Sequence, residues 1–135
     1  MTVSAGPLYR AAAMLPAVPD TAARVVLGVA FLPFVYFAAR DFRLHLTVRK
    51  VSVAENVLHL VLGIVLAAVL ARAFRFRGAE TAFAVLLFAL FGAADEFVFH
   101  RGLPAEEHDA HAKEHFALFV FIAVFGALVH LRARG

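Results

Sequence analysis

Four long apolar runs, each closed at both ends by charged residues or histidine, leave this chain few ways to fold. A backbone surrounded by lipid must satisfy its own hydrogen bonds, so only helices and closed barrels cross a membrane. A transmembrane barrel alternates apolar and polar residues in segments of about ten, and these runs do not alternate. Apolar residues make up 63% of the chain, against roughly 45–50% in soluble domains, and mean hydropathy is +0.84. The expected fold class is all-α: an integral membrane four-helix bundle, one domain over residues 1–135, with four transmembrane spans and short loops.

The punctuation sets the spans at about 21–40, 52–73, 79–100 and 106–132. Asp20 or Thr21 can cap the first, Pro33 predicts a kink in it, and Arg24 and Arg40 flank it as anchors whose stems lie along the apolar phase. Ser52 followed by Glu55 has the spacing of a capping box at the start of the second. Gly78 reads as the break before the third, and Gly102 with Pro104 as the loop before the fourth. Residues 41–51 read as an amphipathic loop or short interfacial helix, and Ala11 to Leu15 as an interfacial turn in an N-terminal tail that lacks the pattern of a cleaved signal. Between charged residues the apolar cores run only about 14 to 16 residues, short of the roughly 20 that a full crossing needs. The polar groups at their ends are therefore drawn toward the bilayer, where ionisable side chains are costly and usually functional.

Those groups follow a pattern. Glu55-x-x-x-His59, Glu96-x-x-x-His100 and Glu107-x-x-x-His111 share one spacing, and His115 extends the last by another four residues. Residues four apart lie on the same helical face. In a four-span chain the second and fourth spans start at the end where the third finishes, so Glu55, His59, Glu96, His100, His111 and His115 should meet near one membrane face. Each pair leads into a stripe of small residues and Phe: Gly63, Ala67 and Ala71; Gly92, Phe88 and Ala84; Phe119 and Gly126. Small residues mark close helix contact in membranes, so these faces are expected to look inward. Of the adjacent acids in the third span, Glu96 is expected to point inward, with Asp95 turned toward the headgroups or a neighbouring helix.

There are no cysteines, which excludes disulfides, thiolate metal sites and cysteine nucleophiles. Histidine and carboxylate on facing helices is how bundles hold metals. The leading function is accordingly a divalent metal site, zinc or iron, made by Glu55, His59, Glu96, His100, His111 and His115. The spacing departs from the Glu-x-x-His and His-Glu-x-x-His signatures. The alternatives are polar contacts between helices in a structural or interaction subunit, and a proton or cation relay; haem is less natural with an acid beside each histidine. The only serines are Ser4 and Ser52, and no phosphate loop occurs.

The run Glu55-Asn56-Val57-Leu58-His59-Leu60-Val61-Leu62-Gly63 resembles the Asn-x-x-His-Leu-x-x-Gly pattern of small four-pass bacterial membrane proteins that have no settled activity. The resemblance implies four spans and no particular function. The formal charge of +3 lies mostly at the ends of the apolar runs, where anchoring explains it and no nucleic-acid partner is needed. Expected partners are membrane lipids, with a second copy or the subunits of a membrane complex as further candidates. Seven basic residues flank the terminal side (Arg10, Arg24, Arg72, Arg75, Arg77, Arg132 and Arg134) and six the other (Arg40, Arg43, Arg49, Lys50, Arg101 and Lys113). Positive charge favours the inside, so the termini are expected in the cytoplasm of a bacterial inner membrane.

Overall fold

The computed structural model describes residues 18–48 and 50–133. The fold is all-helical, with no strand among the described residues: α1 is Asp20–Thr47, α2 Val53–Ala73, α3 Gly78–Val98 and α4 Ala105–Arg132. Each helix is long and apolar enough to cross a membrane. Their outer faces carry the pattern of a lipid-facing surface, with Leu32, Tyr36, Ile64, Leu90 and Phe119 all exposed. The expected turn at Ala11 to Leu15 and the anchors Arg10, Arg49 and Arg134 lie outside the described residues.

The helices form two antiparallel pairs, α1 on α4 and α2 on α3. Phe121 of α4 is fully buried, with its ring edge-on to Phe31 at 5.2 Å, and Phe31 stacks on Phe34 at the same distance. The close contacts are made by alanines: Ala23, Ala73, Ala84, Ala110 and Ala117 are all buried. This corrects the expected role of the glycines, since a methyl group added at Gly28, Gly63, Gly92 or Gly126 would meet nothing within 4 Å.

The expected inward stripes are displaced as well. A step of four residues turns a helix by about 400°, so a strict four-residue stripe drifts about 40° per step. On α2 the face that begins at buried Glu55 continues through Leu62, Leu66, Val69 and Ala73, while Ala67 and Ala71 turn outward and Gly63 lies off the packed face. On α4, Phe119 is 69% exposed, and Phe121, Phe125 and Leu128 form the core instead.

The largest difference in boundaries is at α1. It runs seven residues past the expected end at residue 40, because neither Gly nor Pro interrupts the sequence after Arg40 and Phe42, Leu44 and Leu46 keep it apolar. Pro33 is accommodated within the helix. Ser52 caps α2, its Oγ accepting from the Glu55 N–H at 3.1 Å. The break before α3 falls at Phe76, which has a positive φ of 54°, and Gly78 is the first residue of α3. The left-handed backbone costs an L residue roughly 1–2 kcal/mol. The Arg132 guanidinium, 4.3 Å from the centroid of the Phe76 ring, offsets part of it. At this same end Arg132 donates to Asp20, joining α1 to α4, and Arg72 pairs with Glu80 at 2.9 Å, joining α2 to α3.

A candidate metal centre at one end of the bundle

The opposite end holds the polar cluster, to which all four helices contribute. α1 brings Asp41 and His45, α2 Glu55 and His59, and α3 Asp95 and Glu96. α4 brings Glu107, His111, Glu114 and His115. His100 lies two residues beyond α3, and its N–H donates to the Asp95 carbonyl at 3.2 Å, which folds it back over the helix end. Gly102, with φ of 83°, then takes the left-handed turn that lets the chain enter α4.

The order of acid and histidine alternates with helix direction, and this sorts the side chains into two layers. α1 and α3 run toward this end, so their acids lie deeper than their histidines. α2 and α4 run away from it, so their histidines lie deeper. The outer layer is His45, Glu55, His100 and Glu107. There His45 Nε2 is 4.0 Å from Glu55 Oε1, His100 Nε2 is 3.8 Å from the same oxygen, and His45 Nδ1 is 3.5 Å from Glu107. The inner layer is Asp41, His59, Asp95 with Glu96, and His111. There His59 Nε2 donates to Asp95 at 3.2 Å, while His111 lies 3.3 Å from Glu96 and 3.7 Å from Asp41. His100 Nδ1 and His111 Nε2, 3.0 Å apart, link the layers.

Donor chemistry fixes one imidazole. The backbone carbonyl of Asp41 can only accept, so the His45 Nδ1 at 2.9 Å carries the proton. The other ring nitrogen, Nε2, faces the interior. His45 Nε2 and His100 Nε2 are both buried without a hydrogen-bond partner among the described residues; both lie within 4.0 Å of Glu55, and His100 Nε2 is nearer still to Asp95, at 3.5 Å.

Asp41, Glu55, Asp95 and Glu107 are buried carboxylates, and His45 and His100 are buried imidazoles. Glu96, Glu114, His59, His111 and His115 are half-buried beside them.

Three groups of side chains bring ligand atoms within 4.8 Å of one another: His45, Glu55, His59 and His100; Glu96, His100 and His111; and Asp41, His111 and Glu114. Five of the six residues expected from the sequence, Glu55, His59, Glu96, His100 and His111, belong to these groups. His115 stands at the edge, its ring 4.3 Å from that of His111. Asp95 and Glu96 exchange the places expected of them. Asp95 is the buried acid at 3% exposure, whereas the Glu96 side chain is 45% exposed and still reaches His111. Asp95 lies seven residues from Phe88 and fourteen from Thr81, on the inward face that two full turns preserve. Asp41, His45 and Glu114 were not expected in the cluster. Asp41-x-x-x-His45 has the same spacing as the other three pairs, and that repeat was the available signal.

No protein-family model, no curated protein sequence and no solved structure matches this chain.

Proposed function

We propose that this is a multi-pass membrane protein that binds a divalent first-row metal, zinc or iron, at His45, Glu55, His59 and His100. The observation that carries the reading is the approach of two buried imidazole Nε2 atoms, on His45 and His100, neither with a hydrogen-bond partner among the described residues, to buried carboxylates: both to Glu55, and His100 also to Asp95 at 3.5 Å. Metal–nitrogen bonds of about 2.0–2.1 Å put tetrahedral ligands roughly 3.4 Å apart. The present separations of 3.8 and 4.0 Å would therefore close by about 0.4 and 0.6 Å on binding. The Asp41 carbonyl holds His45 in the tautomer that ligation requires, as the outer partners of metal-bound histidines do. Three imidazoles and one carboxylate suit zinc, and the further acids around them suit iron.

The protein purified without chelator should carry metal at a fixed ratio to chain, measured by elemental analysis. His45→Ala and His100→Ala should each lose it. Wild-type protein without stoichiometric metal after reconstitution with zinc and with ferrous iron would overturn the proposal.

A further inference from the structure

A cavity of about 760 Å³ adjoins the cluster, within the range of roughly 300–1,000 Å³ that small-molecule sites occupy. His45, His59, Asp95 and His111 line one end of it. Phe34, Leu66 and Phe88 form the other end, and there the wall is apolar. The residues at its rim, Phe42 and Leu46 on α1 and Leu60 on α2, are exposed at 65%, 69% and 65%. α1 packs mainly on α4 and α2 mainly on α3, which leaves the gap between α1 and α2 as the mouth. That mouth opens on the apolar outer surface of the bundle. A ligand entering there comes from within the membrane.

One stretch of α2 is given over to this wall. Asn56, His59, Leu60 and Gly63 all line the cavity, on one face at steps of three and four residues. Gly63 faces it from α2 and Gly92 from α3, and at both a new Cβ would meet no protein atom within 4 Å. The two glycines keep this space open; they do not bring helices together.

We infer that the cavity binds a single-chain lipid with a neutral, oxygen-bearing head, such as a long-chain alcohol, its head at the histidine–carboxylate cluster and its chain directed toward Phe34 and Leu66. The length fits. From Asn56 to Leu66 the wall rises about 15 Å, the depth of one leaflet of a roughly 30 Å hydrocarbon core. An extended chain of roughly a dozen carbons, with bonds of about 1.5 Å, spans it. A neutral head fits because Asp41, Asp95 and Glu114 all face this end, with Lys50 the one Lys or Arg among the described lining residues. The head's contact with a metal rests on the proposed metal site, whereas occupation of the cavity does not.

The test uses purified full-length protein in phosphatidylcholine vesicles and a hexadecanol carrying a photoreactive diazirine in its chain. Labelling, mapped by peptide mass spectrometry, should concentrate on the walls around Phe34, Leu66 and Phe88. Unlabelled hexadecanol should compete, palmitate should compete several-fold less well, and Gly63→Phe and Gly92→Phe should each lower labelling several-fold. Thermal unfolding of the variants serves as the folding control, and the wild-type competition stands by itself if either fails to fold. Label spread evenly over the outer apolar faces, or equal competition by palmitate, would overturn the inference. The labelling is repeated on chelated protein. Labelled walls without stoichiometric metal would refute the metal centre alone, and stoichiometric metal without labelled walls would refute the lipid site alone.

Discussion

Asp95→Asn separates a metal centre from a set of interhelical polar contacts, because the two readings give opposite signs in the absence of metal. Asp95 is 3% exposed, accepts from His59 Nε2 at 3.2 Å and lies 3.5 Å from His100 Nε2. The asparagine oxygen can still accept from His59. A hydrogen bond to a charged group is worth about 1.5–3 kcal/mol and a neutral one about 0.5–1.5 kcal/mol, so the substitution forfeits about 1 kcal/mol there. It also removes the desolvation cost of one buried carboxylate, which is several kcal/mol for a buried ion. The metal-free variant should therefore be at least as stable as metal-free wild type. With metal bound the order inverts. Loss of a carboxylate that orients ligating imidazoles weakens binding about 10–100-fold, which is about 1.4–2.8 kcal/mol.

The assay is chelator-competition titration in detergent together with thermal unfolding, with and without EDTA. The metal-induced rise in midpoint, which follows from ligand linkage, should shrink in Asp95→Asn while the chelated midpoint does not fall. Glu96→Gln should weaken binding less, because its side chain is 45% exposed and the amide oxygen can keep the position of Oε2 beside His111. Asp95→Asn destabilised equally with and without chelator would refute the reasoning and identify the cluster as interhelical contacts. A larger loss of affinity in Glu96→Gln would refute the assignment of Asp95 as the inward acid.

His115→Ala should retain metal at the wild-type ratio by elemental analysis, since His115 belongs to none of the three ligand groups. Reporter fusions after residues 50 and 103 should lie on one side of the membrane and fusions after 76 and 135 on the other, the arrangement that four crossings require. Gly28→Ala and Gly126→Ala, where an added methyl group meets no neighbour, should each raise helix stability by about 0.5–1 kcal/mol. Ala23→Leu and Ala117→Leu, at buried helix contacts, should each lower it by about 1–3 kcal/mol in denaturant titration.

The helix count and the meeting of the polar ends were legible in the sequence, because both follow from apolar run length and chain direction. The inward faces were less so. Reading α2 and α4 in strict steps of four carried the expected stripe off the buried face, since 3.6 residues complete a turn. Gly63 was therefore expected at a helix contact and lines a cavity. The same reasoning preferred Glu96 to Asp95, although the longer period through Thr81, Ala84 and Phe88 leads to Asp95. His45 was hidden by a boundary. Arg40 and Asp41 end the uncharged run of the first span, and the basic, amphipathic stretch 41–51 reads as a loop or a short interfacial helix. α1 continues to Thr47 because its buried polar residues face the cluster and its apolar ones face outward.

The acid–histidine spacing acquires its meaning from antiparallel packing. One such pair on a single helix is a surface ion pair worth a few tenths of a kcal/mol. Four pairs, at Asp41/His45, Glu55/His59, Glu96/His100 and Glu107/His111, come together at the same end of four helices of alternating direction. Alternation sets each helix's acid beside histidines of its neighbours. Glu55 thus faces His45 and His100, and His111 faces Asp41 and Glu96. Two mixed layers about 6 Å apart result, the rise of four helical residues. Were the helices parallel, the acids would share one layer and the histidines another, and the carboxylates would repel with no imidazole between them. The repeated spacing and the up-and-down topology together build a mixed cluster of acids and imidazoles that neither specifies alone.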